Sequence, residues 1–133
     1  MEKMKNFRTI IKQIATNSYI NRGNVCYRMC ENGVKCRMDC SEFSPEDLAN
    51  KIVVYYIYTN GLHYFGRTDA FDRRMSEHLR TDGNLFQYYK NSEFIVKPIM
   101  ICNTIDEAIE KEREIISFAK FMLKSSTLIN KNC

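Results

Sequence analysis

Apolar positions at the start of the chain fall at Met4, Phe7, Ile10, Ile11 and Ile14, the spacing of one helix face, and predict an amphipathic helix. Residues 17 to 43 lose that periodicity; they are polar, irregular and rich in cysteine. Ser44-Pro45-Glu46-Asp47 then combines a cap hydroxyl, a proline at the first helical position and two acids on the positive end of the helix dipole. It predicts a short helix to about residue 51. The uncharged run IVVYYIYT at 52 to 59 and the segment 62 to 67 read as strands, joined by Asn60-Gly61, the strongest short signal for a hairpin. Helices are predicted near 69 to 80 and 84 to 90, then a strand from 94 to 102 whose Pro98 asks for a sheet edge. Thr104 and Glu107 form a capping box that opens a long helix to about residue 123. Helices around a hairpin with one further strand make the class α+β.

A two-residue turn fixes which strand positions face each other. Ile57 pairs with Tyr64 and Tyr55 with Gly66. Side chains alternate, so Tyr55, Ile57 and Tyr64 share one face, and Tyr56, Tyr58, His63 and Phe65 the other. Two phenols thus converge beside a glycine, where a missing side chain allows something to approach the sheet closely. The same aromatics would also suit plain packing on both faces of a buried hairpin.

At 133 residues the chain suits one compact unit. Its N-terminus lacks the unbroken apolar core of a secretory signal, and its longest apolar run is too short to cross a bilayer. An intracellular, cytoplasmic protein is expected, with the nucleus left open and no membrane association. Its six cysteines are then expected as thiols or metal ligands. Cys26, Cys30, Cys36 and Cys40 form a C-x3-C-x5-C-x3-C array, a candidate structural Zn²⁺ site against the alternative of unligated thiols. Net charge is +4, but residues 1 to 40 carry eight Lys and Arg against three acids. A basic arm of this kind suits a polyanion such as nucleic acid; a solvated surface accounts for it equally well.

Chemistry enters with two helices. In the last one Ile105, Ile109, Glu112, Ile116, Ala119 and Leu123 follow steps of three and four, putting a carboxylate on the core-facing stripe. Such a group needs a metal or cation as partner, unless it merely reaches the rim in a salt bridge. After the hairpin, Phe71, Met75 and Leu79 form a buried stripe, with Arg74 and His78 one turn apart on its flank. The short path from Gly66 brings that arginine and histidine, often mere surface residues, towards Tyr55 and Tyr64. A tyrosine lowered in pKa by cations could take a proton from water, a divalent ion on Glu112 would activate water and neutralise phosphate, and arginine's planar fork matches phosphate oxygens. These are parts for phosphodiester hydrolysis.

The same residues resemble the GIY-YIG nuclease superfamily. Val53-Val54-Tyr55-Tyr56-Ile57 is similar to its first motif and Tyr64-Phe65-Gly66 to its second; the spacing from Gly66 to Arg74 and His78 is similar too. Ala108, Glu112 and Ile116 look like its metal-binding helix and Leu128-Ile129-Asn130 like its terminal Asn motif. Val53 and Phe65 depart from the pattern, and Tyr56 rivals Tyr55 for the first tyrosine; strand pairing favours Tyr55. The resemblance implies a small central three-stranded antiparallel sheet flanked by helices over residues 52–133, and DNA cleavage dependent on one Mg²⁺ or Mn²⁺ held by Glu112. It implies the catalytic set Tyr55, Tyr64, Arg74, His78, Glu112 and Asn130. Residues 1–51 match nothing in it and are expected as a basic, helical, Cys-rich extension packed on the core. A compact stand-alone endonuclease acting on DNA, as a monomer or a homodimer, is one expectation; a catalytically inactive module binding nucleic acid or protein is the alternative.

Overall fold

The structure, a computed structural model, describes residues 8–9, 11–12, 25–28, 36–39, 43–59, 61–78, 94–123 and 127–129. Its frame is a mixed sheet of five strands, β1 Val25–Arg28, β2 Cys36–Asp39, β3 Ile52–Thr59, β4 Leu62–Thr68 and β5 Phe94–Cys102, in the order β1-β2-β5-β3-β4. β3 pairs antiparallel with β4 and β5, giving the expected three-stranded centre. β2 adds to β5 in parallel and β1 to β2 antiparallel, so the expected three-stranded sheet is corrected to five strands, two from the first forty residues. Both are four residues long, VCYR and CRMD, too short for an alternation to stand out. Residues 8–9 and 11–12 are helical, and Ile11 is buried in the core. The helix expected at 84 to 90 lies outside the described residues.

β3 has core on both sides, which explains an apolar run without alternation. Val53, Tyr55 and Ile57 pack with Phe43, Leu48, Phe71, Met75 and Val96. Val54 and Tyr56 pack on the other side with Phe65, Ile99, Met100 and the long helix. The hairpin register is as expected, Tyr55 opposite Gly66 and Ile57 opposite Tyr64. Gly61 takes a φ of 77° in the turn, which its missing Cβ permits.

Pro98 is accommodated by a bulge. Val54 pairs with Met100 but Tyr55 with Pro98, so Ile99 is an extra residue and both it and Met100 face the same core. β2 pairs only with positions 94 to 96 of β5, so the proline stands past that ladder, at the edge its chemistry requires. Beside it Lys97 is buried, with Nζ 3.3 Å from Oδ2 of the buried Asp39.

The Ser44 segment forms a 3-10 turn at Pro45–Leu48 instead of a helix to 51; the Ser44 N–H donates to Asp47 Oδ2 at 2.9 Å, and Asn50 turns left-handed at φ 59° before β3. Helix α1, Phe71–His78, covers the Tyr55 side of the sheet through Phe71 and Met75. Helix α2, Ile105–Met122, covers the Tyr56 side. The Glu107 N–H donates to Thr104 Oγ1 at 3.0 Å, while Glu107 Oε1 reaches back to the Asn103 N–H at 2.7 Å, one residue earlier than in the simple box. The buried stripe of α2 is Ala108, Ile115, Ile116 and Ala119, with Leu123 beyond its end. Ile105 is exposed instead and Glu112 stands at the margin of the stripe, a correction to the expected face. Among the described residues no helix is long and apolar enough to cross a membrane.

Candidate active site

Tyr55 is the floor of the candidate site. It is fully buried on β3, and its ring lies across the strand next to it, over Gly66. A Cβ at Gly66 would meet Tyr55 Oη at 2.7 Å, Cζ at 2.8 Å and Tyr64 Cε2 at 3.0 Å. The glycine therefore makes room for this protein's own tyrosine. Tyr55 Oη lies 2.8 Å from His78 Nε2. Tyr64, opposite Ile57 on the same face, sets its ring edge-on to His78 with centroids 5.6 Å apart.

His78 is buried at the end of α1, where Phe71 and Met75 fix the helix on the sheet. Burial, aided by the charge of Arg74 and opposed by Glu77, pushes its pKa down to about 4, so the imidazole is neutral at pH 7. Arg74, one turn earlier, is partly open to solvent and donates from Nη1 to Glu77 Oε1 at 3.0 Å. Burial works against its charge, but Glu77 and the Tyr55 and Tyr64 hydroxyls outweigh that and raise its pKa. The expected tyrosine with a lowered pKa is not Tyr55. Burial, then Tyr64, raises its phenol far above the usual range, against the opposing pull of Arg74. In the resting protein Tyr55 is a neutral hydrogen-bonding group.

Glu112 meets this set from α2, across the edge strand β4. Its Oε1 is 3.3 Å from Nε of Arg67. Burial raises its pKa and Arg67 opposes the rise. Its charge acts in turn on Tyr55. Among the described residues no three His, Cys, Asp or Glu side chains cluster to hold a metal. A lone hard carboxylate nevertheless fits Mg²⁺ or Mn²⁺, which takes one or two carboxylates and fills its shell with water and substrate phosphate. Cys26 and Cys36 stand on β1 and β2, while Cys30, Cys40 and the thiol positions of all four lie outside the described residues.

Asn130 lies outside them too. The chain just before it runs along β4, where the Ile129 N–H donates to the His63 carbonyl at 2.7 Å. Tyr56, the rival first tyrosine, points to the α2 side, with Oη 2.7 Å from His63 Nδ1. The structure thus brings Tyr55, Tyr64, Arg74 and His78 together on one face, with Glu112 at its margin. The motif pattern missed Arg67; alternation along β4 puts it on the α2 side, the one signal that could have paired it with Glu112.

The site is open. A groove of about 710 Å³ lined by Arg8, Arg113, Phe118 and Phe121, and another of about 250 Å³ lined by Asn50, Asp69, Asp72 and Arg73, take in none of its residues. No curated protein and no solved structure matches the chain. The model of one family, described as the GIY-YIG catalytic domain, does match it, over residues 51–123, the span that carries Tyr55, Tyr64, Arg74, His78 and Glu112. With the order of those residues and the hairpin that joins the two tyrosines, this match over more than half of its length means that the chain belongs to the GIY-YIG family, with that family's nuclease-type fold.

Proposed function

We propose that the protein is a divalent-metal-dependent DNA endonuclease, a compact stand-alone member of its family that hydrolyses phosphodiester bonds. The layering of the site carries this reading: Tyr64 and Arg74 are partly exposed above the buried pair of Tyr55 and His78, with Glu112 at the strand edge. A partly exposed arginine and phenol can reach the phosphates of a polymer laid across that face. Arg74 would bind two phosphate oxygens with its planar fork and offset the charge that builds up on them in the transition state. Tyr64 is the phenol within reach of solvent; it would orient the attacking water at Oη and, once ionised with its own proton given up to solvent, accept a proton from that water in the field of Arg74. Tyr55 and neutral His78 hold that surface in place from below, and Asn130 would support it from the segment that follows β4's partner residues. Glu112 would hold Mg²⁺ or Mn²⁺, and the bound ion supplies charge that polarises phosphate and eases ionisation of water. The basic first forty residues would add phosphate contacts and make binding fall with salt.

The test is nicking of supercoiled plasmid by wild type and Glu112→Ala with Mg²⁺, Mn²⁺ or EDTA. Metal-dependent nicking, reduced by at least about 100-fold in the variant, is the expected result for loss of a group that acts in the transition state. A folded wild type that cuts neither plasmid, branched nor single-stranded DNA would instead mark a binding module.

A further inference from the structure

Arg67 is a charged residue at the edge of this surface that the proposed chemistry leaves without a task. It follows Gly66 on β4, and strand alternation turns it towards α2, where its Nε lies 3.3 Å from Glu112 Oε1. The carboxylate side chain is 21% exposed and the guanidinium 39%. The carboxylate best suited to a hard cation therefore already holds a cation, and the holder is the more solvated of the two partners.

We propose that Arg67 is the resting counter-ion of Glu112 and competes with the divalent ion for that carboxylate. This rests on Glu112 being the metal ligand, as proposed above. Ligation has to displace the guanidinium from Oε1, and the departing side chain, tethered beside Gly66, still places a positive charge near the incoming one. A half-exposed ion pair is weak, and a unit charge near a divalent ion in a largely aqueous setting is a modest repulsion; together they hold metal affinity down by about tenfold. Arg67 would then be a positioning residue. It holds Glu112 in place in the resting protein, and it tunes how readily metal loads.

The test is Mn²⁺ binding to the full chain without DNA, followed by the free-Mn²⁺ electron paramagnetic resonance signal. The variants are Arg67→Met, which keeps the stem and removes the charge, Arg67→Lys, which keeps the charge, and Glu112→Gln. The expected pattern is about tenfold tighter binding in Arg67→Met, near wild-type binding in Arg67→Lys and loss of the site in Glu112→Gln. Arg67→Gln replaces Arg67→Met if melting shows that the methionine variant does not fold. Equal or weaker binding in the folded neutral variant, with the site still lost in Glu112→Gln, overturns the competition and leaves the metal ligand standing. Wild-type binding in Glu112→Gln overturns the metal ligand, and the competition falls with it.

Discussion

At the scale of single residues, Gly66 is the most constrained position in the candidate site. The atoms that an added Cβ would meet belong to the far end of a tyrosine, which in an open setting would swing aside. Here the ring is fully buried between Phe71, Tyr64 and His78, and its hydroxyl is held at 2.8 Å. Gly66→Ala is therefore expected to destabilise by about 2 kcal/mol through overpacking and to part Tyr55 from His78, lowering cleavage as well. In a Tyr55→Leu background the same substitution should cost much less; denaturant unfolding of the four proteins closes the cycle. Much of this was legible in the sequence. Two-residue turns set register, so the meeting of Tyr55, Tyr64 and Gly66 follows from Asn60-Gly61. What fills the space above the glycine does not follow, because alternation tells which face a side chain takes and not how its ring leans. Burial is likewise non-local, and the raised phenol of Tyr55 follows from neighbours that only the folded chain supplies.

At the scale of elements, β3 to β5 and α2 could be read from their own residues, since each carries a turn signal, a cap or a long apolar run. The short strands β1 and β2 could not; they join the sheet by pairing with residues far along the chain, and a buried contact between Asp39 and Lys97 stands beside that ladder. A buried ion pair costs desolvation on both sides, so losing one partner hurts far more than replacing both. Asp39→Ala should lower stability by about 3 kcal/mol, whereas Asp39→Leu with Lys97→Met should stay within about 1 kcal/mol of wild type, measured by urea unfolding. Equal losses in the two proteins would show that the pair does not hold β2 to β5. Ile116, Ala119 and Leu123 of the expected α2 stripe are buried, whereas Ile105 fits the spacing yet is exposed, and Ala108 and Ile115 are buried beside the expected positions.

At the scale of the molecule, both histidines of the chain are buried on tyrosines, His78 on Tyr55 and His63 on Tyr56, one on each face of β3. Burial pushes each pKa down to about 4, with Arg74 adding to the effect at His78. Between the unfolded value near 6.5 and about 4 the unfolded chain binds protons that the folded chain refuses. Their stabilising neutrality is complete above pH 6.5 and is lost as pH falls towards 4, by about 3 kcal/mol for each imidazole. Melting temperature should drop steeply across that window, and His63→Phe should flatten the slope; a level profile would mean that the imidazoles are not held neutral. The same pairing has a spectroscopic consequence. With two histidines in all, a proton NMR spectrum contains one imidazole Hε1 signal for each side of the sheet. Metal or DNA arriving at the open face should move the His78 resonance and leave His63 still, while loss of fold moves both, so the protein has its own reference channel for separating binding from unfolding.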